Sequence, residues 1–167
     1  MSSDERYLDK YRIATARVQW HDYDGGDYFI TICTHNHSYF FGNIDNDEMH
    51  LSPVGRIAEE SLKKVSTHHP YAEIPLFVVM PNHIHLILRI NMRMVQREYS
   101  NMKQSPMAVV VGSMKSSISR KAKVVNPAFA WQTRFYDHII RDNKEALMIT
   151  DYIKENVVRW QYDKLRV

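Results

Sequence analysis

The sequence predicts an α+β fold in which an antiparallel sheet carries helices on one face. Short segments rich in aromatic and β-branched residues, typical of strands, alternate with longer segments whose apolar residues recur at helical spacing. The chain has 167 residues, 44% hydrophobic and 25% charged, which suits one globular core. We therefore expect a single domain over residues 1–167, with the polar, glycine-punctuated residues 1–26 as an N-terminal arm.

The first half of the chain contains a strand, a hairpin and a helix. Residues 28–34, YFITICT, predict a strand, and the polar tripeptide DND at 45–47 predicts a small hairpin. Ser52 is a good helix N-cap, and Pro53 suits the first turn that follows. The apolar stripe of this helix consists of Val54, Ile57, Ala58, Leu62 and Val65.

The second half contains two strands, a helix, a short strand and a last helix. The strands IPLFVVM and HIHLILRI are separated by the turn signal Pro81-Asn82. Ser105-Pro106 repeats the helix-start pattern, a short strand follows near 134–140, and the last helix covers 143–160 with Asn143 as its candidate cap. The stripe of the second helix consists of Met107, Val110, Val111, Met114 and Ile118. Without the hairpin the order is βαββαβ plus a terminal helix, which is the ferredoxin-like pattern.

Composition excludes several classes of protein. Cys33 is the only cysteine, so no intrachain disulfide can form and a reducing compartment is indicated. No apolar run approaches the ~20 residues of a membrane span, and the start of the chain is too charged for a signal peptide. We expect a cytoplasmic protein without a membrane partner.

Charge is unevenly distributed along the chain. Residues 21–73 hold nine acidic and three basic residues, whereas residues 74–167 hold fifteen basic and seven acidic residues. This asymmetry indicates a polyanionic partner for the second half, such as nucleic acid. A solvated charged face is the alternative.

Two histidines interrupt the apolar run VVMPNHIHLILRI at 78–90. His83 and His85 point to the same side of a strand, because side chains alternate across it. The residues that point the other way are apolar and should face the helices: Ile84, Leu86, Leu88 and Ile90. The two imidazoles then lie on the more open face, where they can chelate one cation. The alternative is an ordinary pair of hydrogen-bonded histidines.

The last helix offers further groups for such a site. Its apolar stripe is centred on Ile153, and Tyr152 and Asn156 are stacked at i and i+4 on the flank of that stripe. A helix laid on the open face of the sheet would bring both toward the histidines. Asn156 would then offer an amide oxygen to the cation. The alternative for Tyr152 is a rim aromatic with its hydroxyl in water.

These motifs resemble those of a known family. Residues 81–86, PNHIHL, resemble the His-hydrophobic-His signature of the HUH single-tyrosine transposases. Residues 131–142, WQTRFYDHIIRD, followed by Tyr152-x-x-x-Asn156, resemble the REP-associated tyrosine transposases, which are relatives of small insertion-sequence transposases. The resemblance extends from about residue 11 to residue 160.

The resemblance implies a ferredoxin-like enzyme that cuts and rejoins single-stranded DNA near hairpins. His83, His85 and Asn156 would be metal ligands, and Tyr152 would be the nucleophile that forms a 5′-phosphotyrosine intermediate. Imidazole ligands alone would favour zinc, whereas the resemblance implies Mg²⁺ or Mn²⁺. The partner would be single-stranded or hairpin DNA, the protein would be nucleoid-associated when bound, and it would act as a monomer or a homodimer.

Basic residues of the second half are candidates for DNA contact. The resemblance assigns some of them to DNA contact or site support, and the basic end of the second helix adds others. The candidate set is Lys115, Arg120, Lys121, Arg134, His138 and Arg141. Three aromatic residues can either stack on bases or belong to the core: Trp131, Tyr136 and Trp160.

Two other functions are compatible with the same residues. The first is a hairpin DNA- or RNA-binding protein of the same fold that does not cleave. The second is a small zinc hydrolase in which Tyr152 is structural. A covalent DNA adduct on Tyr152 distinguishes the transferase from both.

Overall fold

The computed structural model describes residues 26–95 and 104–167. The arm expected over residues 1–26 therefore lies outside the described residues, except for Gly26. The strands are β1 (Gly26–Cys33), β2 (Gly42–Asp45), β3 (Glu48–Leu51), β4 (Ala72–Val79), β5 (His83–Ile90) and β6 (Tyr136–Ile139). The helices are α1 (Pro53–Lys63), α2 (Val65–His68), α3 (Pro106–Val125) and α4 (Asn143–Glu155).

The main sheet has four strands in the order β4-β5-β1-β6, and all neighbouring pairs are antiparallel. Strand β1 is central, and Tyr28 lies opposite Leu88 of β5 and Ile139 of β6. Strands β2 and β3 form a separate hairpin, whose turn residues Asn46 and Asp47 have φ of 50° and 60°. The predicted α+β, ferredoxin-like fold is confirmed.

The two predicted helix starts are formed by the expected caps. Ser52 Oγ accepts a hydrogen bond of 3.0 Å from the Gly55 amide, and Ser105 Oγ accepts one of 3.2 Å from the Ala108 amide. Each following proline occupies the first turn, where no backbone N–H is required. None of the helices described is long and apolar enough to cross a membrane.

The sheet separates two apolar clusters. The larger one lies between the sheet and helices α1 and α3, and it contains Ile84, Leu86, Leu88 and Ile90 of β5. The smaller one lies on the other face and consists of Phe29, Ile87, Ile140, Ile149 and Ile153. Helix α4 supplies the last two of these residues and so covers the face that carries the histidines.

Helix α4 begins at the predicted residue 143, but its cap residue and its end differ from the prediction. Its N-cap is Asp142 rather than Asn143, because the Asp142 carboxylate accepts a 2.8 Å hydrogen bond from the Glu145 amide. The helix ends at Glu155 rather than at 160. The last turn is tighter than an α-helix, because the amide of Asn156 donates to Ile153 O, three residues earlier rather than four. A separate short turn, Trp160–Tyr162, follows.

Two helical glycines should respond oppositely to alanine. A Cβ at Gly55 would overlap the Phe41 carbonyl oxygen, which also accepts a hydrogen bond from the Ser52 amide. We expect Gly55→Ala to lower the free energy of unfolding by about 1–3 kcal/mol. Gly112→Ala, whose Cβ would meet nothing within 4 Å, should raise it by about 0.5–1 kcal/mol. Urea denaturation measures both, and equal effects of the two changes would contradict the packing of α1.

Candidate metal centre

His83 and His85 are fully covered side chains on the face of β5 that α4 packs against. Their exposed fractions are 0% and 1%, and their ring centroids are 4.6 Å apart. The His85 ring stacks on Phe29 of the neighbouring strand, with centroids 5.3 Å apart. The pair therefore lies in the interior, under α4 and the segment 156–167.

Hydrogen bonds to neighbouring residues orient both rings. His83 Nδ1 lies 2.7 Å from the side-chain oxygen of Asn82, and His85 Nδ1 lies 2.8 Å from Thr31 Oγ1. Thr31 is the residue directly opposite His85 in the β1–β5 register. With both Nδ1 atoms engaged, the Nε2 atoms are the ones that can bind an ion; among the described residues His83 Nε2 has no hydrogen bond and His85 Nε2 has only a long one to Tyr152.

Asp163 completes a group that can hold a metal ion. Its Oδ2 atom lies 3.7 Å from His83 Nε2, and ligand atoms of His83, His85 and Asp163 all lie within 4.8 Å of one another. The other carboxylate oxygen accepts a 2.8 Å hydrogen bond from the Leu165 amide. This bond fixes the carboxylate while Oδ2 stays directed at the histidines.

Three buried polar atoms around this group lack hydrogen-bond partners in the part of the chain that the structure describes. They are His83 Nε2, Asp163 Oδ2 and Asn156 Oδ1. Buried polar atoms without partners are costly, and so they are rare in folded proteins. One cation between His83 Nε2 and Asp163 Oδ2, which lie 3.7 Å apart, would satisfy both of these atoms, and Asn156 Oδ1 offers a further lone pair. The donor set of two imidazole nitrogens and two side-chain oxygens fits a divalent metal ion.

Burial keeps both imidazoles uncharged at neutral pH. Desolvation lowers the pKa of His85 to about 3. Desolvation, followed by the nearby His85 and His37, holds the pKa of His83 well below its usual range, and the Asn156 side chain opposes this shift. Burial also raises the pKa of Asp163, against a hydrogen bond from the Leu165 amide. Neutral imidazoles keep the lone pairs that a metal requires.

These pKa shifts predict a loss of stability in acid. As the pH falls from about 6.5 toward about 3, the unfolded chain binds protons that the native histidines do not. The free energy of unfolding should therefore fall, by on the order of 2 kcal/mol for His85 between about pH 6.5 and 4.5. The lowered pKa of His83 acts in the same direction. The raised pKa of Asp163 acts in the opposite direction, because the native carboxylate takes up its proton first.

Urea denaturation of the metal-free protein across this pH range measures the effect. His85→Gln should flatten the pH dependence, whereas His50→Gln, at an exposed position of β3, should leave it unchanged. A wild-type protein equally stable at the two pH values would contradict the buried, neutral state of the histidines.

Tyr152 lies at the edge of this group of atoms. Its hydroxyl oxygen is 3.4 Å from His85 Nε2, its ring centroid is 5.2 Å from that of His85, and its ring meets Phe29 edge-on at 6.1 Å. Helix α4 holds it there. At the start of that helix, buried Glu145 pairs with His138 at 2.8 Å and accepts the Arg141 amide at 3.1 Å.

The basic candidates occupy different surfaces. Lys115 and Arg120 line an open groove together with Lys123, Trp131 and Gln132. Lys115 is partly buried there, donates to Gln132 O at 2.9 Å, and has its pKa lowered by desolvation.

The remaining candidates lie outside this groove. Lys121 is on the other flank of α3, beside Ser61 and Lys64 of the α1 region. Arg134 and Arg141 are exposed, whereas His138 is buried. Among the aromatic candidates, Trp160 is buried against Tyr39 and His83.

The sequence did not indicate three residues that contact the histidines. They are Thr31, Asn82 and Asp163. Thr31 contacts His85 because the two residues lie opposite each other in the β1–β5 pairing. The order of the elements predicts that these strands pair but does not predict which residues lie opposite each other. For Asn82 the sequence predicts a position in the turn before His83, but it does not predict the hydrogen bond to the His83 ring. Asp163 lies beyond the end of α4, in a segment without periodicity, and no sequence signal indicates it.

Comparisons with known proteins show which proteins the chain resembles. No family model matches the chain. An uncharacterized protein of Haemophilus influenzae is 33% identical over 154 residues, which cover 85% of this chain and 86% of that protein. A second protein of that organism, named "Putative REP-associated tyrosine transposase", is 24% identical over 149 residues, which cover 83% of this chain and 73% of that protein.

Two solved structures share the fold. One is a REP-associated tyrosine transposase bound to a REP hairpin, with a TM-score of 0.59 and 22% identity over 84% of this chain and 72% of that chain. The other is a "putative transposase" from Deinococcus radiodurans R1, with a TM-score of 0.50 and 16% identity over 85% of this chain and 95% of that chain. By sequence similarity and by fold, the chain resembles the REP-associated tyrosine transposases.

Proposed function

We propose that the protein, acting as one domain over residues 1–167, cuts and rejoins single-stranded DNA at hairpin-flanked sites through a 5′-phosphotyrosine intermediate on Tyr152. The observation that carries this proposal is the position of the Tyr152 hydroxyl, 3.4 Å from His85 Nε2. A nucleophile for phosphoryl transfer has to lie beside the group that binds the phosphate. The solved relative that holds a REP hairpin supports hairpin DNA as the ligand class.

The residues that would hold the metal ion are His83, His85, Asn156 and Asp163. Asn156 was expected from sequence, and Asp163 is added because its Oδ2 atom faces His83 Nε2 at 3.7 Å. Two oxygen donors beside two imidazoles move the preference from zinc toward Mg²⁺ or Mn²⁺. When bound, the ion would neutralise charge on the scissile phosphate and orient it.

The covalent chemistry rests on Tyr152. Its hydroxyl oxygen attacks the phosphorus and loses its proton, while the bond from phosphorus to the 3′ oxygen breaks and that oxygen leaves as a 3′-hydroxyl. A phosphodiester between tyrosine and the DNA 5′ oxygen replaces the phosphodiester between two nucleotides, so bond energy is conserved and no ATP is needed. Attack by a 3′-hydroxyl on the ester reverses the step and joins strands.

The packing around Tyr152 serves to hold the phenol in position. The aromatic contacts with Phe29 and His85 restrict the ring, and the buried His138–Glu145 pair fixes the start of α4. For His138 we therefore propose support of α4 and not direct DNA contact. A nucleophile restricted in this way loses little conformational freedom on attack.

The groove beside α3 is the proposed path of the DNA backbone. It presents Lys115, Arg120 and Lys123 together with the Trp131 ring, and none of the described residues that line it carries a carboxylate. Backbone phosphates bind such clusters, and an aromatic face can stack on an unpaired base. Lys121, Arg134 and Arg141 remain proposed contacts outside the groove.

Neutralising the groove should weaken DNA binding in a salt-dependent way. For Arg120→Gln with Lys123→Gln we expect an affinity for single-stranded hairpin DNA about tenfold lower at low salt. The slope of log affinity against log salt should fall by about 0.7 for each phosphate that the variant no longer neutralises. Fluorescence anisotropy over a salt series measures this. Lys63→Gln, an exposed lysine of α1 paired with Glu59, is the matched control, and an equal loss of affinity there would contradict a specific groove.

The alternative function is hairpin DNA or RNA binding without cleavage. The groove favours it, because the groove residues bind nucleic acid without any need for the phenol. Mass spectrometry of the protein mixed with single-stranded hairpin DNA and Mg²⁺ or Mn²⁺ distinguishes the functions. An adduct mapped to Tyr152 supports strand transfer, tight binding without an adduct supports the alternative, and metal-dependent hydrolysis that survives Tyr152→Phe supports a hydrolase.

A further inference from the structure

Asn82 is a fully buried amide between β4 and β5, immediately before His83. Its side-chain nitrogen donates to Leu165 O at 2.6 Å and to His37 O at 3.3 Å. Its side-chain oxygen lies 2.7 Å from His83 Nδ1. The amide is thus held on one side by two backbone carbonyls and on the other side by a ring nitrogen of the metal site.

This arrangement allows only one orientation of the Asn82 amide. Carbonyl oxygens only accept hydrogen bonds, so the NH₂ group has to face Leu165 and His37, and the oxygen has to face His83. An amide oxygen also only accepts, so His83 Nδ1 must carry the proton. In a neutral imidazole the other nitrogen, Nε2, then carries the lone pair. That atom is the one directed at Asp163 Oδ2.

The carbonyl of His37 is held in place by an unusual turn. Asn36 and His37 both have left-handed backbones, with φ of 55° and 52°, a conformation that is strained for residues other than glycine. Thr34 clamps this turn, since its hydroxyl lies 2.7 Å from Ser38 O and 3.0 Å from Asn82 O and shares its single proton between these two carbonyls. The strained turn therefore persists beside Asn82.

The carbonyl of Leu165 belongs to the segment that carries Asp163. The Leu165 amide donates to Asp163 Oδ1 at 2.8 Å, so residues 163–165 form one small unit. This unit presents a carboxylate oxygen to His83 Nε2 and a carbonyl to Asn82. Both nitrogens of the His83 ring thus depend on the same unit, one directly and one through Asn82.

We propose that Asn82 is a positioning residue that holds His83 in the Nδ1-protonated form, and that it thereby couples metal affinity to docking of residues 163–165. This inference deepens the proposed function and rests on its metal site alone. Asn82 does not touch the ion. It acts by deciding which ring nitrogen is available, a role that neighbours of metal-binding histidines commonly have.

The tautomer can be observed directly. Nitrogen-15 NMR of the full-length, metal-free protein distinguishes protonated from unprotonated ring nitrogens at a fixed neutral pH. We expect His83 to carry its proton on Nδ1 in the wild type and to lose this preference in Asn82→Ala. A wild-type His83 protonated on Nε2 would overturn the inference, and this readout does not depend on any variant folding.

Metal titration provides the second readout. With Mn²⁺ alone as the probe, calorimetry should show an affinity about 10- to 100-fold lower for Asn82→Ala. Asn91→Ala is the matched control, since Asn91 follows the other end of β5 and its side chain accepts the Arg93 amide. Equal Mn²⁺ affinities of Asn82→Ala and wild type would overturn the inference.

Asn82→Asp tests separately the hydrogen bond to His83 and the hydrogen bonds to Leu165 and His37. As a carboxylate it keeps an oxygen for His83 Nδ1 but cannot donate to Leu165 O or His37 O. We expect the Nδ1-protonated form of His83 to be retained while amide hydrogen exchange in residues 163–165 speeds up. Unchanged exchange in these residues would overturn the coupling.

These three tests do not depend on cleavage, because no DNA is present in them. A wild type that binds Mn²⁺ but forms no DNA adduct would refute strand transfer and leave the role of Asn82 intact.

Discussion

Tyr152→Phe should abolish the covalent DNA adduct and lower strand cleavage by about 10⁴-fold or more. The substitution removes the attacking oxygen, and removal of a covalent nucleophile typically has effects of this size. The phenylalanine ring keeps the packing against Phe29 and His85. The hydrogen bond to His85 that the variant lacks is long, at 3.4 Å, so the free energy of unfolding and the metal affinity should change little.

The measurement uses single-stranded hairpin DNA labelled at either end, with products separated under denaturing conditions. Attack by Tyr152 leaves the label of the downstream strand on the protein and releases an upstream strand with a free 3′-hydroxyl. Tyr136→Phe, at an exposed position of β6, is the control and should cleave normally. An adduct that persists in Tyr152→Phe would show that another residue is the nucleophile.

The fold was predictable because its signals are local. The alternation of β5 assigns Ile84 and Leu86 to one face and the histidines to the other, and the structure buries these two sets on opposite sides of the sheet. The Ser-Pro helix starts are equally local, since an N-cap acts within three residues. Patterns of period 2 and 3.6 carry this information without any knowledge of tertiary contacts.

The parts of the site that depend on tertiary contacts were not predictable. Period-2 alternation predicts an open face for the histidines, whereas they are 0% and 1% exposed because α4 and the segment 156–167 cover them. Asp163 reaches His83 only because the chain turns back after α4. Such a turn is decided by packing, here by Trp160 against His83 and Tyr39, and not by local propensity.

His83→Ala should lower the Mn²⁺ affinity by about 100-fold or more and reduce cleavage by a similar or larger factor. The variant lacks one of the two imidazole ligands, and the remaining oxygen donors bind transition metals less tightly. It also leaves a cavity and deprives the Asn82 side-chain oxygen of its 2.7 Å partner. We therefore expect the metal-free variant to lose about 2–4 kcal/mol of stability, which urea denaturation measures separately.

The control for this variant is His69→Ala. His69 also has a buried Nε2 atom without a hydrogen-bond partner among the described residues, and burial likewise lowers its pKa. It lies just after α2, next to Tyr71, and its removal should leave Mn²⁺ affinity unchanged. Calorimetry that shows equal affinities for His83→Ala and wild type, or a weaker affinity in His69→Ala, would place the metal elsewhere.

A double-mutant cycle with Asp163→Asn decides whether the carboxylate shares the ion with His83. If both bind one ion, the decrease in affinity in the double variant should be smaller than the two single decreases combined, because removing either ligand already disrupts the site. Independent effects would instead indicate that Asp163 acts only on the charge or position of the ring. The 3.7 Å separation of Oδ2 from Nε2, with neither atom hydrogen-bonded within the described residues, favours a shared ion. We therefore expect strong coupling.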